Sequence, residues 1–417
     1  MSIHNHNGGL DTASHSPKKA TVPIIIICFM IVLFDGLDTI SVTFVAPALA
    51  SIWGTSAAAM APAFLATSIG AVIGYITAGP MALRYGEYRV TIVSVALFGV
   101  ATLATALATD IVTLAMFRFI TSIGLGAALP LAIGTASTAV APRHRATAAM
   151  LITAGLSLGG VLAGALGGPL IRHFGWESVF IVGGILPLIL LPAVYIYIPK
   201  VTVAATQGPR PNPVIALFAG SLGLQTILLW AFAFIVFVEA YTLLYWTPTL
   251  LINWGMAKEL APASAAAFSM GGLLGGIVLV FLVAKLGVSR SLILSITFGI
   301  CFILIFGLMT LQQNMLMPLM FGIGAGILPC CVGQSALAIG LYPAHLRTTG
   351  VGCAAAAGRI GSIVGPGLGG AVISLGWSTQ EIVLMAVVPS VVGIAILAAA
   401  QFLIPKTDSA LQTATPH

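Results

Sequence analysis

Twelve apolar runs, each long enough to cross a bilayer as a helix, divide this chain, and mostly short polar segments separate them. They cover roughly 22–47, 58–82, 89–109, 112–140, 146–171 and 177–198, then 223–250, 262–286, 289–311, 315–341, 347–375 and 379–404. The runs are helix-length, unlike the ten-residue alternating segments of a membrane barrel. The chain is 59% hydrophobic and 6% charged, with a mean hydropathy of +1.11. Soluble domains carry about 25% charge. An all-α, multi-pass membrane protein is the expected class. Lys18-Lys19 before the first run and Ala48-Leu49-Ala50 within or after it mimic a signal peptide. The run is too long for one and carries two Asp, so an uncleaved first membrane helix is expected.

Orientation follows from the basic residues. With the N-terminus inside, cytoplasmic segments hold Lys18, Lys19, Arg84, Arg89, Arg143, Arg145, Lys200, Arg210, Lys285, Arg290, Arg347 and Lys406, twelve in all. Outer segments hold two, Arg172 and Lys258. Both termini are therefore expected in the cytoplasm of a cell whose inner membrane holds the protein. The net charge of +6 is spread over short loops and is no nucleic-acid footprint. The five cysteines, Cys28, Cys301, Cys330, Cys331 and Cys353, lie in apolar runs and form neither a disulfide framework nor a metal site. No cofactor is expected.

The two halves repeat. A shift of 201 carries Asp38 to Glu239, Pro47 to Pro248, Trp53-Gly54 to Trp254-Gly255, Gly70 to Gly271, Gly74 to Gly275 and Gly175-Trp176 to Gly376-Trp377. A shift of 202 carries Arg145 to Arg347. Six spans per half is an even number, so both halves enter the membrane in the same direction. Parallel repeats of this kind place a site at the interface of two bundles. The expected organisation is a cytoplasmic tail (1–21), a six-helix bundle (22–198), a cytoplasmic linker (199–222), a second six-helix bundle (223–404) and a cytoplasmic tail (405–417).

Charge inside such spans is costly, about 2.5–3.5 kcal/mol for an Asp near a helix centre. The first span nonetheless reads Phe34-Asp35-Gly36-Leu37-Asp38, with both carboxylates on one helical face. Further in-span charges are Arg118, Glu239 and Arg359. A carboxylate pair one turn apart in a partly dehydrated cavity can hold one exchangeable proton near neutral pH. Asp38, helped by Asp35, is the expected proton carrier, with Glu239 its counterpart. Arg118 suits either the Asp pair or an anionic cargo. Arg359 lies in a Gly- and Ala-rich stretch without a nearby carboxylate in sequence, which suits a bidentate carboxylate ligand. Tyr241 and Trp246 lie near Glu239, where Trp246 could stack on a ring, and Gln334-Ser335 are polar in an apolar run. All four are candidate cargo contacts, with packing or helix coupling as the alternative reading. Arg84, Arg145 and Arg347 in the basic loops are candidate gating residues.

No phosphate-binding loop or nucleophile elbow is present, so neither ATP-driven transport from this chain nor hydrolase chemistry is expected.

The motifs resemble the major facilitator superfamily and, within it, the aromatic acid:proton symporters. The matching residues are Asp35-Gly36-Leu37-Asp38, Arg118-Phe119 with Gly124-Leu125-Gly126 and Pro130, Phe174-Gly175-Trp176-Glu177, Trp246-Thr247-Pro248, Tyr342-Pro343 to Arg347-Thr348-Thr349-Gly350, and Gly358-Arg359-Ile360-Gly361. The resemblance implies that Asp35 and Asp38 couple protons and that Arg347 and Arg359 are functionally important. The chain departs from the family pattern in several places. Leu83 replaces a loop Asp, Glu87 a loop base, Ala284 a second loop Asp, Leu131 an Asn and Ala139 an acid. The expected activity is proton-coupled import of a small organic anion, an aromatic or related ring carboxylate, by a monomer in the lipid bilayer. The alternatives are a permease for a non-aromatic acid with altered coupling, and a membrane sensor that does not transport.

Overall fold

The computed structural model describes residues 21–55, 61–200, 212–220, 222–255, 261–309 and 312–403. The expected N-terminal tail, apart from Thr21, lies outside these residues. So do the C-terminal tail and residues 201–211 and 221 of the linker.

Twelve helices among the described residues are long and apolar enough to cross a membrane. The first bundle holds α1 (Thr21–Ile52), α2 (Ala61–Tyr85), α3 (Glu87–Thr105), α4 (Ile111–Ala139), α5 (Arg145–Phe174) and α6 (Glu177–Tyr197). A short α7 (Pro213–Ala216) precedes the second bundle. That bundle holds α8 (Leu222–Asn253), α9 (Ala261–Leu286), α10 (Val288–Leu308), α11 (Gln313–Leu341), α12 (Arg347–Ser374), α13 (Thr379–Met385) and α14 (Val387–Leu403). The last two together form one span, Thr379–Gln401.

The internal repeat is built into the turns and the packing. Gly86 and Gly287 take left-handed φ of 89° and 81°, and Gly175 and Gly376 take 83° and 81°. Each pair is separated by 201 positions, so equivalent loops turn in the same way. Gly70 and Gly74 of α2 lie against backbone carbonyls of Phe119 and Ile123 on α4. Gly271 and Gly275 of α9 meet those of Phe321 and Ala325 on α11 in the same manner. Lipid supplies no hydrophobic drive between helices, so this close backbone approach is what holds them together. At the start of α4, Asp110 accepts from the Thr113 backbone N–H at 2.8 Å and Thr113 Oγ1 accepts from the Asp110 N–H. That cap holds the exposed Asp110 carboxyl below the ordinary carboxylate range.

The bundles meet mainly on the side that carries the basic loops. One apolar cluster there joins Ile24, Ile31 and Ile133 of the first bundle to Leu229, Ile339, Tyr342 and Val351 of the second. Another joins Met150 of α5 to Phe232, Leu279 and Ile296. Towards the opposite side the clusters separate. Val42, Val45, Trp176 and Phe180 pack within the first bundle, and Leu250, Phe268, Phe306 and Met320 within the second. Among the described residues the basic side is therefore sealed by both bundles, and the far side is not joined by a shared core.

Candidate functional site

The α1 acids occupy different environments. Arg118 Nη1 donates to Asp38 Oδ1 at 3.0 Å and Nη2 to Oδ2 at 2.7 Å. Both side chains are fully buried, at 0% and 1% exposed. Thr102 of α3 donates a third bond to Asp38 Oδ1 at 3.0 Å, and the Phe180 ring of α6 lies 5.9 Å from the Arg118 guanidinium. Four helices of one bundle thus enclose a bidentate ion pair. Asp35 has less. Thr39, on its own helix, donates to Oδ1 at 3.1 Å, while Oδ2 is buried without a hydrogen bond. Its neighbouring cations are Arg359 of the second bundle and Arg118. Gly36 between the acids has a steric cause: a side chain there would run into the Leu156 backbone of α5.

The second bundle distributes its charges differently. Glu239 of α8 is buried and accepts from Ser390 of α14 at 2.6 Å, with no arginine paired to it among the described residues. Arg359 of α12 is half-buried, and its Nε makes no hydrogen bond. Phe237 and Tyr241, one turn apart on α8, stack at 5.8 Å with their planes 10° apart, and Tyr245 continues the ladder at 6.2 Å. Tyr241 interacts with Arg359. Tyr75 of α2 has Asp35, Arg359 and Tyr241 as electrostatic neighbours, which brings these groups of the two bundles together. Trp246 takes no part in the ladder. Its indole donates to the Pro366 carbonyl at 2.8 Å and its ring covers Gly369 and Gly370. Gln334 and Ser335 of α11 are buried, with Gln334 Oε1 and Ser335 Oγ unpartnered.

The pattern for the Major Facilitator Superfamily matches residues 27–336. The chain belongs to the major facilitator superfamily. It is 36% identical over 389 residues to the 3-(3-hydroxy-phenyl)propionate transporter of Escherichia coli K12, covering 93% of this chain and 94% of that one. It is 33% identical over 384 residues to the gallate transporter of Pseudomonas putida, covering 85% and 86%. The 4-hydroxybenzoate transporter of Pseudomonas aeruginosa is 30% identical over 400 residues, covering 88% and 89%. These relatives place the chain among the superfamily's aromatic-acid permeases; it is a transporter rather than an enzyme. Solved structures of the same fold include the proton:xylose symporter XylE, with a TM-score of 0.72 at 15% identity over 93% of this chain and 96% of that one. The Escherichia coli fucose:proton symporter FucP superposes with a TM-score of 0.74 at 12% identity, over 92% and 99%.

Superfamily members commonly carry charged loop motifs where this chain has Leu83, Glu87 and Ala284. Here the basic side is joined by other means. Glu87, at the start of α3, accepts from Thr348 of α12 at 2.7 Å, a bond between bundles, and from Thr135 of α4 at 3.5 Å. In the sequence Glu87 stands out only as a departure from the loop pattern. Its partner is 261 positions away, beyond any local pattern. Gly352 of α12 packs on the Tyr75 carbonyl and Gly79 of α2 on Thr349, so α2 and α12 touch backbone to backbone. Leu131 is fully buried beside Ala78, Ala82, Val90 and Ala127, within the first bundle. Arg84 is exposed and lies over the Tyr85 ring at 5.2 Å. Arg347 is buried and donates through Nε to the Tyr342 carbonyl at 3.2 Å, with Arg145 as a charged neighbour.

Proposed function

We propose that this permease imports a hydroxylated aromatic carboxylate together with a proton, and that Asp35 carries that proton. The observation behind this reading is the half-buried Arg359, without a carboxylate partner, next to the Tyr241–Tyr245 ladder and across from Asp35. A guanidinium fork binds a carboxylate in two bonds, and a flat ring suits the aromatic faces beside it. The open acceptor oxygens of Gln334 and Ser335 would take ring hydroxyls. The relatives named as gallate, 4-hydroxybenzoate and hydroxyphenylpropionate transporters handle molecules of this kind.

Asp38 is the proton site that sequence reasoning favours, but Arg118 holds it as an ion pair in this conformation. Arg118 engages both Asp38 oxygens, which favours the charged form, whereas Asp35 Oδ2 has no hydrogen-bond partner. In this reading Asp38 and Arg118 set the local field, and Asp35 exchanges the proton. Glu239 is the reserve site. The basic side faces the cytoplasm, following the positive-residue bias, and Arg84, Arg145 and Arg347 line the gate on that side.

The test uses proteoliposomes with an imposed pH gradient and 4-hydroxybenzoate or gallate as cargo. Asp35→Asn should lose uphill accumulation while retaining counterflow without a gradient. Accumulation that persists in Asp35→Asn moves the proton to Asp38 or Glu239. Impermeant thiol labelling of a single cysteine placed at Arg84 checks orientation: reaction from the outer face would reverse it.

A further inference from the structure

The symmetry-related arginines Arg145 and Arg347 each keep a buried guanidinium nitrogen without a hydrogen-bond partner. Each is the first residue of a long helix, α5 and α12, and each follows a single 3-10 turn, Pro142–His144 and Ala344–Leu346. Neither helix start carries a side-chain cap. The Arg145 N–H is taken by the Pro142 carbonyl, but no side chain caps the start of either helix, and the positive helix ends add to the positive side chains. Arg347 is 9% exposed, and its Nη1 is buried without a partner. Arg145 Nε is likewise buried without one. The two are close enough for Arg145 to act electrostatically on Arg347.

Nothing acidic among the described residues answers this charge. Ala139 stands where the family pattern has an acid. Glu87 is engaged with Thr348 and Thr135. Like charges across a bundle interface should push the two halves apart, yet the apolar clusters close them here.

We infer that Arg145 and Arg347, with the uncapped starts of α5 and α12, form a binding site for a phosphate-type oxyanion at the sealed basic side. The donors are the unpartnered Arg347 Nη1, the Arg145 guanidinium and the uncapped N–H groups of two helix ends, which together call for a compact ligand with three or more acceptor oxygens. Inorganic phosphate and the phosphate of an anionic lipid headgroup share that chemistry. Because the two arginines belong to different bundles, a bound anion clamps the basic side shut.

The experiment uses the full-length protein purified in neutral detergent. Thermal unfolding is followed with sodium phosphate and with sodium chloride at matched ionic strength. The wild type should show a saturable rise in unfolding temperature with phosphate only. Arg145→Gln and Arg347→Gln should each reduce it, and the double variant should lose it. An equal rise in the wild type and the double variant overturns the site, as does an equal rise with chloride. If the glutamine variants fail to fold, the Arg145→Lys and Arg347→Lys pair keeps the charge but loses the forks. Titration calorimetry with phosphate should then show binding weaker than the wild type, and unchanged binding counts against the forks. A second arm uses nanodiscs of phosphatidylcholine with or without phosphatidylglycerol. Stabilisation of the wild type by phosphatidylglycerol alone, lost in the double variant, assigns the site to a lipid headgroup. A response to neither source overturns the proposal.

Discussion

The two bundles share a frame but not an electrostatic plan. In the first, acid and base are locked together, with Asp38 and Arg118 joined by two bonds at 0–1% exposure. In the second, Glu239 and Arg359 do not pair. Glu239 rests on a serine, and Arg359 faces the aromatic ladder and the opposite bundle. The duplicated scaffold thus pairs the mid-membrane arginine of its first half with an acid, and sets that of its second half beside aromatic rings instead.

The largest effect should come from breaking the sealed pair. Arg118→Leu strands a buried carboxylate and should cost about 3–5 kcal/mol of stability. Glu239→Gln, which keeps a hydrogen-bonding group beside Ser390, should cost about 1 kcal/mol. Adding Asp38→Asn to Arg118→Leu should recover much of the loss. Thermal unfolding of the four proteins makes the comparison, and equal losses for Arg118→Leu and Glu239→Gln would erase the distinction between the bundles.

Next in size is the open cation. Arg359→Ala should weaken cargo binding by about 2 kcal/mol, roughly thirtyfold, with little change in unfolding temperature. Arg359→Lys should fall between, since it keeps charge without the fork. Affinity measured by scintillation proximity with labelled 4-hydroxybenzoate decides this. Unchanged affinity in a folded Ala variant removes Arg359 from the site.

A smaller change is expected at the seal. Thr348→Val removes a charge-assisted bond between the bundles, worth about 1.5 kcal/mol. It should shift the population towards a basic side that is open. Spin-label distances across that side should lengthen, and an unaltered distribution would leave the apolar clusters as the whole of the latch.

The smallest effect belongs to Trp246. Trp246→Phe deletes its bond to the Pro366 carbonyl, about 1 kcal/mol of stability. Cargo affinity should stay where it is, because the ring covers Gly369 and Gly370. A selective loss of affinity would return Trp246 to the cargo site.

Much of this was readable in the chain. Apolar length marks the twelve spans, and the shift of 201 anticipates the paired turns at Gly86 and Gly287 and the paired packing of Gly70 and Gly271. Helical spacing places Asp35 and Asp38 on one face. It does not tell which of them Arg118 reaches, because that depends on how α4 sits against α1 and on Thr102 from α3. The same limit applies to Trp246, whose partner is 120 positions away, and to Glu87, whose loop motif is unusual but whose contact with Thr348 belongs to the assembled interface. Period gives direction, and only packing gives distance.

The enclosure of Asp38 and Arg118 within one bundle bears on what can drive a transport cycle. Alternating access in this architecture is largely a rocking of one bundle against the other. Contacts inside a body that moves as a whole contribute equally before and after the motion, so they cancel from the free-energy difference between the two states. The Asp38–Arg118 ion pair is then silent in the cycle, however much it holds the bundle together. Asp35 and Arg359 are in the opposite position. They belong to separate bodies, so their separation changes with every swing, and with it the hold each has on a proton or an anion. In the proposed reading, cargo, proton and motion are coupled through such relations across the interface.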